Sequence, residues 1–341
     1  MSSRVVVFGL DNRSQGEFRA VCNRGWSLTG DPNVQSGGDS SVLLDADTAS
    51  QGWMQLGRMV LIERPPLPKW AGMIDTPWSA KLPAKATLYS AEYLFHIRTP
   101  DASTMLKGTT GDIVMQMIEM VNAQEETYLR IGLVDDDEPR EHTLDQRPFW
   151  EQLKALIERV GMEMRLRPEK ENGQLIVYVD VLDHVGIETG FLFHDGENAN
   201  MSVLDATIDN EIWNRAIGLG DQSTKAGRKQ TAPTFDRASI GQFRMRSTNV
   251  QFDGVKEDAT LLQYTQNFVQ AKSRPILKMK LIIMDVGDAF QYVDLGNEAI
   301  FHAHDLRLPG GMIGFKGIGR MKALAYDEGT NAMGLLVEAE L

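Results

Sequence analysis

The stretch from Gly57 to Thr99 constrains the fold most, because prolines divide it into short apolar segments. Met59 to Ile62 is a short apolar run that ends near Pro65, whose ring cannot donate to a strand ladder. Trp70 to Ile74 resumes the pattern, and Ala84 to Phe95 alternates before ending in aromatic residues. Strands at this spacing, with turn signals between them, predict a small antiparallel sandwich or barrel.

The composition excludes several classes of protein. The chain has 341 residues, 42% hydrophobic and 24% charged, which predicts a globular protein with roughly one domain per 150 residues. Its 35 Lys and Arg against 47 Asp and Glu give a formal charge of −12, so attraction to nucleic-acid phosphates would require a local basic patch. Cys22 is the only cysteine, which excludes an intrachain disulfide and a cysteine-rich zinc site.

Targeting segments are not recognisable in the sequence. No apolar run approaches the roughly 20 residues of a membrane-spanning helix. The run from Val5 to Phe8 is too short for a secretory leader, and Asp11 and Arg13 follow it closely. We therefore expect a soluble protein that is made in the cytoplasm and is not secreted by a cleaved leader.

The first domain is predicted at residues 1–104, as a β-barrel built on the proline-divided stretch. Further strands are expected at Arg4–Gly9, at Glu17–Leu28 and from Val42 onward. A loop rich in Gly, Asp, Ser and Asn is expected at Gly30–Ser41, because such residues favour turns over ladders.

An α+β domain is predicted at residues 105–201, where helical periodicity appears. Apolar residues from Ile113 to Val121 recur at helical spacing. A second helix is expected from Phe149 to Val160, with Gly161 as its stop. The Asn172-Gly173 pair between two strand-like runs predicts a hairpin turn.

A second β-barrel is predicted at residues 202–341, with a helix-containing insert at about 223–284. A polar, basic loop is expected at Gln222–Pro233, and a helix at Asp258–Lys272. The fold class is therefore β-rich α+β: two small antiparallel β-barrel, tube-like domains with an α+β domain between them. The later strands are expected at Leu277–Met284, Gln291–Leu295, Glu298–Leu306, Gly317–Tyr326 and Met333–Glu340.

Two clusters have residue types that can bind metals. His302 and His304 lie two apart on an expected strand and would share a face, with Asp305 next in sequence. A third ligand is not identifiable, so two ordinary strand histidines are the favoured interpretation. The acidic run Asp135–Glu138 lacks the spacing of a calcium-binding loop, which favours a solvated loop. We expect no metal and no cofactor.

Catalytic motifs are absent from the sequence as well. It contains no Gly-x-Ser-x-Gly elbow, no phosphate-cradling Gly-x-x-x-x-Gly-Lys and no His-Glu-x-x-His. The glycines of Gly314–Gly319 lie in a strand-rich segment, which indicates turns and bulges. An interaction role without catalysis is therefore favoured.

Two short signatures resemble a known family when taken together. Trp70-Ala71-Gly72-Met73-Ile74 lies in the first β-unit, and the segment Trp213-Asn214 to Gly220 opens the last one. With the order β-unit, α+β domain, β-unit with an internal helix, the chain resembles the hub proteins of phage tail tips and baseplates. Relatives of that family include the base of the type VI secretion spike and the N-terminal hub part of tail-associated lysins.

The resemblance implies an assembly and its partners. Two similar barrels per chain would let a homotrimer present six barrels, matching a sixfold tail tube to threefold tip parts. The implied partners are the distal tail or tail-tube ring protein, the tape-measure protein and a central fibre or tip protein. Genome DNA would pass through the lumen without specific binding, and an acidic wall would repel it.

The resemblance also assigns roles to the signature residues. Trp70, Gly72, Trp213 and Asn214 are expected to be structural packing residues, with both tryptophans largely buried. Two alternatives stay open: the hub of a secretion or other injection machine, and a cell-wall-degrading enzyme of the tail tip. The chain ends with the last β-unit, so we expect neither a fused hydrolase nor a receptor-binding fibre.

Overall fold

The computed structural model describes residues 2–28, 40–45, 47–48, 51–76, 84–135, 138–197, 199–223, 227–252, 254–308 and 313–341. Most of the loop predicted at Gly30–Ser41 and the Pro-Gly-Gly turn at 309–311 lie outside these residues. Within the described residues, no helix is long and apolar enough to cross a membrane.

The first six strands form a closed antiparallel barrel. Their order is β1-β4-β5-β6-β3-β2, and pairing of β1 with β2 completes the circle. The three strands predicted between the proline-rich turns are confirmed as β4, β5 and β6, whereas the aromatic patch after them is a short helix. The strands are β1 (Ser3–Phe8), β2 (Ser14–Ser27), β3 (Ser41–Leu44), β4 (Met59–Glu63), β5 (Trp70–Thr76) and β6 (Ala84–Ser90).

Strands β1 and β4 are buried on both faces, which explains their uninterrupted apolar sequences. Val5 and Ile62 pair in register and belong to the core inside the barrel. Val6 and Leu61 pair next to them and belong to a second core, which the barrel shares with the middle of the chain. A strand covered on both sides needs apolar residues at consecutive positions, so strict alternation is lost.

The middle of the chain is a small α+β unit. Strands β10, β11 and β8 form one sheet, and β7 pairs with β9. Gly161 ends α3 with a φ of 75°, and Asn172 and Gly173 both have positive φ in the predicted hairpin. The elements are α1 (Tyr93–His96), β7 (Thr104–Gly108), α2 (Thr110–Gln124), β8 (Leu129–Val134), β9 (Arg140–Leu144), α3 (Phe149–Val160), β10 (Glu163–Glu171) and β11 (Gln174–Leu182).

The remaining elements build a second group of strands and a separate small sheet. In chain order they are β12 (Glu188–His194), β13 (Met201–Asp209), β14 (Arg215–Ser223), β15 (Gly227–Gln230), β16 (Thr234–Phe235), α4 (Arg237–Phe243), β17 (Ser247–Gln251), α5 (Asp258–Lys272), β18 (Ile276–Met284), β19 (Glu298–Arg307), β20 (Ile313–Asp327) and β21 (Ala332–Glu340). The strand predicted at Gln291–Leu295 is instead a 3-10 helix at Ala289–Tyr292, which buries Ala289 and Phe290.

The second group is continuous with the barrel. Its order is β12-β19-β20-β21-β18-β13, and the end of β20 pairs with β2, so that Trp26 lies opposite Leu324. The edge strands β12 and β13 meet at Asn200, whose side-chain oxygen accepts a hydrogen bond of 2.9 Å from the His194 N–H. Strand pairing among the described residues does not close this second group into a barrel. The β-rich α+β class and one barrel are thus confirmed.

The separate sheet interrupts the second group between β13 and β18. Strand β14 is central, with β15 and β16 on one side and β17 parallel to it on the other. The departure from the large sheet spans residues 210–275, whereas the sequence predicts an insert at about 223–284. The Trp213 N–H donates a hydrogen bond to the Lys272 carbonyl, which joins the two ends of this segment.

Candidate functional site

Trp70 forms a reciprocal pair with Trp26 where the barrel meets the second group of strands. Trp70 is 2% exposed, and its indole Nε1 donates to the Gly25 carbonyl at 2.8 Å. In return, Trp26 Nε1 donates to the Lys69 carbonyl at 3.2 Å. Each indole N–H therefore donates to the carbonyl of the residue that precedes the other tryptophan, which satisfies both polar groups inside the core.

Gly72 leaves the space that the Trp70 ring occupies. A Cβ atom at Gly72 would lie 2.1 Å from Cη2 of Trp70 and 2.3 Å from the Tyr89 carbonyl oxygen. The two residues are two positions apart on β5, so they share a face and the ring lies along the strand. The Trp-x-Gly signature is thus one packing unit, in which the glycine is a steric requirement.

Asn214 organises the small sheet through its side-chain amide. It is fully buried, and its Nδ2 donates to Ser239 Oγ at 3.1 Å and to the Arg244 carbonyl at 2.8 Å. Its Oδ1 accepts from the Arg246 N–H at 2.8 Å. One buried amide therefore fixes the start of β14, helix α4 and the turn before β17 relative to one another.

Trp213 lies next to Asn214, just before β14 begins. It is half-buried and belongs to neither of the two apolar cores. Its Nε1 donates at 3.3 Å to the exposed Glu211 carboxylate. Trp213 is therefore less buried than Trp70, because its segment enters the small sheet and not the large one.

Small residues in the second signature allow α5 to approach β14 closely. A Cβ at Gly218 would lie 2.0 Å from Oγ1 of Thr265, and one at Gly220 would lie 2.7 Å from the Val255 carbonyl oxygen. Both glycines and Ala216 face the helix, since they alternate along β14. Sequence reasoning missed this role, although the small-x-small-x-small pattern carries the signal.

The end of the small sheet where β14 begins presents basic and apolar groups. Arg215 lies with its guanidinium 5.8 Å from the ring centroid of Phe235, which is 48% exposed. Arg237, Arg244 and Arg246 are exposed on the segments that hydrogen-bond to Asn214 and Arg215, and Met245 is 58% exposed. We call this surface the basic face: Arg215, Phe235, Arg237, Arg244, Met245 and Arg246.

The charge of this segment is opposite to that of the whole chain. Residues 215–251 hold seven Lys and Arg against two Asp and Glu, within a chain of formal charge −12. Both acidic groups bind backbone: Asp221 accepts from the Gly254 N–H and Asp236 from the Ser239 N–H, each at 2.9 Å. The bond from the Ser239 N–H is the main cause that lowers the pKa of Asp236, so that it stays ionised as the cap of α4.

Two buried glutamates connect the parts of the chain. Glu328 accepts from the Cys22 N–H at 2.8 Å and pairs with Arg64 at 3.3 Å, which joins the β20–β21 turn to the barrel. Glu163 pairs with Arg320 and with Lys322, linking the middle unit to the second group of strands. The hydrogen-bonded carboxylates hold the units in one arrangement.

The two histidines considered as metal candidates lie side by side on β19, with their rings tilted by 33°. The ring centroids of His302 and His304 are 3.8 Å apart. His304 binds Asp195 twice, through its N–H at 2.9 Å and its Nδ1 at 2.7 Å. Partial burial, with His304 and Lys316 nearby, lowers the pKa of His302. Asp195 comes from another strand end, a neighbour that the sequence does not reveal.

A metal site is not assembled in the part of the chain that the structure describes. No group of three or more His, Cys, Asp or Glu residues there could hold an ion. The side chain of Asp305 and the residues 136–137 lie outside the description. Asp135, which begins the acidic run, accepts a hydrogen bond of 2.8 Å from the Asp183 N–H.

Comparison with known proteins gives a likeness of fold. No family model and no curated protein matches the sequence. The prophage tail protein gp18 from Listeria monocytogenes is 9% identical with a TM-score of 0.59, covering 99% of this chain and 94% of that one. The 43 kDa tail protein of prophage MuSo2 from Shewanella oneidensis is 12% identical with a TM-score of 0.56, covering 99% and 98%.

A third structure extends this likeness. A tail protein from Neisseria meningitidis is 10% identical with a TM-score of 0.60, covering 99% of this chain and 97% of that one. The chain therefore has the fold of these tail proteins over its whole length. At such identities the likeness concerns the fold alone.

Proposed function

We propose that this protein is a structural hub of a phage tail tip or baseplate. The observation that supports this most is the closed barrel joined edge to edge, through β2 and β20, to a second group of six strands. This arrangement is shared, over 99% of the chain, with proteins described as tail proteins. The nearly buried pairs of Glu328 and Glu163 hold its parts together, as a ring that transmits force requires.

The proposed assembly is a homotrimer. In it, the barrel and the second group of strands act as two tube-like units, so three copies present six units to a sixfold tail tube. A reconstruction of the particle would count the copies at the tip. Three copies around the axis support the proposal, and six copies or one would contradict it.

The proposed lumen is the exit path for genome DNA, and the charge of its wall is closer to neutral than the net charge of the chain suggests. Residues 101–200 hold nine Lys and Arg against 21 Asp and Glu, whereas residues 1–100 hold ten against nine. Residues 201–341 hold 16 against 17. The β-units that would line the channel are therefore nearly neutral in charge count, and DNA would pass because the wall attracts it weakly rather than because it repels DNA.

The proposed partners follow from this position in the particle. They are the distal tail or tail-tube ring protein above the hub, the tape-measure protein within it and a central fibre or tip protein below. The hub of a secretion or other injection machine would use the same physics. Neighbouring genes for a tape-measure and a tail-tube protein favour the phage, and their replacement by secretion genes would favour the alternative.

An enzyme of the tail tip is the rival from another class. It would need convergent titratable groups in a cleft, and the adjacent histidines on β19 are the nearest approach to one. We expect the double variant His302→Gln with His304→Gln to assemble and infect like the parent. Stoichiometric metal in the purified protein, together with loss of function in this variant, would move the enzyme ahead of the hub.

A further inference from the structure

The basic face is an exposed surface with the composition of a protein interface. Arg, aromatic residues and Met are enriched in the centres of interfaces, and this face combines Phe235 and Met245 with four arginines. Helix α5 covers the side of β14 that carries Ala216, while Ser247, Asn249 and Gln251 on β17 remain exposed.

A surface of opposite charge lies on the middle unit. Asp112, Met115 and Glu119 follow one another at helical spacing on α2 and are all exposed. Beside them, Leu133 and Val134 at the end of β8 are 55% and 37% exposed. We call this surface the acidic face: Asp112, Met115, Glu119, Leu133, Val134 and Glu138.

The parts of the acidic face are neighbours in space. A Cβ at Gly111, in the first turn of α2, would lie 2.3 Å from Cγ1 of Val134, so the helix start and the strand end are in contact. Glu138 is exposed and follows β8 closely in sequence. Exposed apolar side chains rimmed by carboxylates mark an interaction surface for a basic, apolar partner.

We propose that the basic face of one copy of this chain docks on the acidic face of a second copy. Each face combines exposed apolar side chains with charged groups of one sign, which we call its rim, and the two rims have opposite sign. The same chain carries both, so a second copy is the partner whose complementarity is on the molecule itself. The inference rests on the proposed hub, because it identifies the contact between neighbouring subunits of the ring.

The contact would join two different faces of the chain, the basic face of one copy and the acidic face of the next. An interface between unlike surfaces is head-to-tail, and it generates a closed ring when the rotation between copies closes. Complementary charges would speed and orient the encounter more than they add affinity, so association should weaken with salt. Both properties suit a hub that assembles around an axis.

Charge reversal with rescue tests this contact in the full-length chain. One variant carries Arg237→Glu with Arg244→Glu, a second carries Glu119→Lys with Glu138→Lys, and a third carries all four changes. Sedimentation measures self-association at low and high salt. We expect each double variant to weaken association by at least about tenfold, and the fourfold variant to regain most of it, because the rims are again opposite.

The control carries Lys85→Glu with Lys170→Glu, two exposed lysines outside both faces. It changes the net charge as much as the first variant does, and we expect association like that of the parent. Circular dichroism should show the same fold in all variants. The contact is overturned if the parent stays monomeric. It is also overturned if neither charge reversal changes self-association.

The outcomes separate this inference from the proposed hub. A reconstructed ring of three copies in which other surfaces touch overturns the contact and leaves the hub intact. If reversal of the basic face blocks incorporation into particles without changing self-association, the face binds an acidic neighbouring protein and the second copy is excluded. Absence of the protein from the tail tip contradicts the hub itself.

Discussion

The carboxylate of Glu163 pairs with the guanidinium of Arg320 across the boundary between the middle unit and the second group of strands. The side chains of Glu163 and Arg320 are 10% and 18% exposed. Glu163 also accepts from the Val185 N–H at 2.9 Å, and Arg320 donates to the Val185 carbonyl at 2.7 Å. The pair and one backbone segment therefore form a closed set of hydrogen bonds that fixes the two units together.

Glu163→Gln should destabilise the protein strongly. The amide keeps the shape but leaves the Arg320 charge nearly buried without its partner, and breaking such pairs costs about 3 kcal/mol or more. Chemical denaturation would measure the free energy of unfolding. Arg130→Gln removes an exposed pair with Glu126 and should cost less than about 1 kcal/mol. Equal effects of the two substitutions would contradict a structural role for the buried pair.

Gly72→Ala should destabilise the barrel although it adds one methyl group. The new Cβ would overlap the Trp70 ring and the Tyr89 carbonyl, and overpacking of a core costs about 1–3 kcal/mol. Gly241→Ala is a matched control, because the added Cβ meets nothing within 4 Å and α4 gains a better helix former. A Gly72→Ala protein that is as stable as the parent would show that Trp70 has room to move.

Local signals carried the correct sequence predictions. Prolines after Ile62 ended a strand, Gly161 ended a helix and Asn172-Gly173 formed a hairpin, because each depends on residues close in sequence. The β-rich α+β class followed from their order. The short 3-10 helix at Ala289–Tyr292 was missed, since so few residues carry little periodicity.

Long-range relationships were beyond the sequence patterns. Pairing of β2 with β20 joins opposite ends of the chain, and neither strand's residues specify which partner will lie beside it. Likewise, Asn214 is recognisable as part of a signature, but its hydrogen bonds to Ser239, Arg244 and Arg246 depend on the folded sheet. The basic face arises from that arrangement, so it could not be predicted as a surface.

Trp70→Ala and Trp213→Ala should differ in their effects. Trp70 is buried with a satisfied indole, and truncating a buried aromatic costs about 3–5 kcal/mol. Trp213 is half-buried outside both cores, so its truncation loses less packing and we expect less than half of that cost. Thermal unfolding would compare the two variants. Equal losses would show that Trp213 supports the core despite its position.

His142 should make the protein sensitive to acid. It lies in β9 at 8% exposure, and its Nε2 finds no hydrogen-bond partner among the residues that the structure describes. Burial, with Arg159 and Arg147 nearby, lowers its pKa from 6.5 to about 4. The folded state therefore holds the neutral ring, while the unfolded chain binds a proton below about pH 6.5.

The sign of the effect follows from this difference in bound protons. Stability from the neutral ring is complete above pH 6.5 and is lost as the pH falls toward 4, by about 3 kcal/mol in all. Unfolding free energies of the parent and of His142→Leu, measured across that range, would isolate this contribution from the carboxylates common to both. We expect the parent to lose stability more steeply on acidification. Parallel curves would mean that the imidazole is hydrated or paired in the folded protein, and that its burial does not control the acid limit of stability.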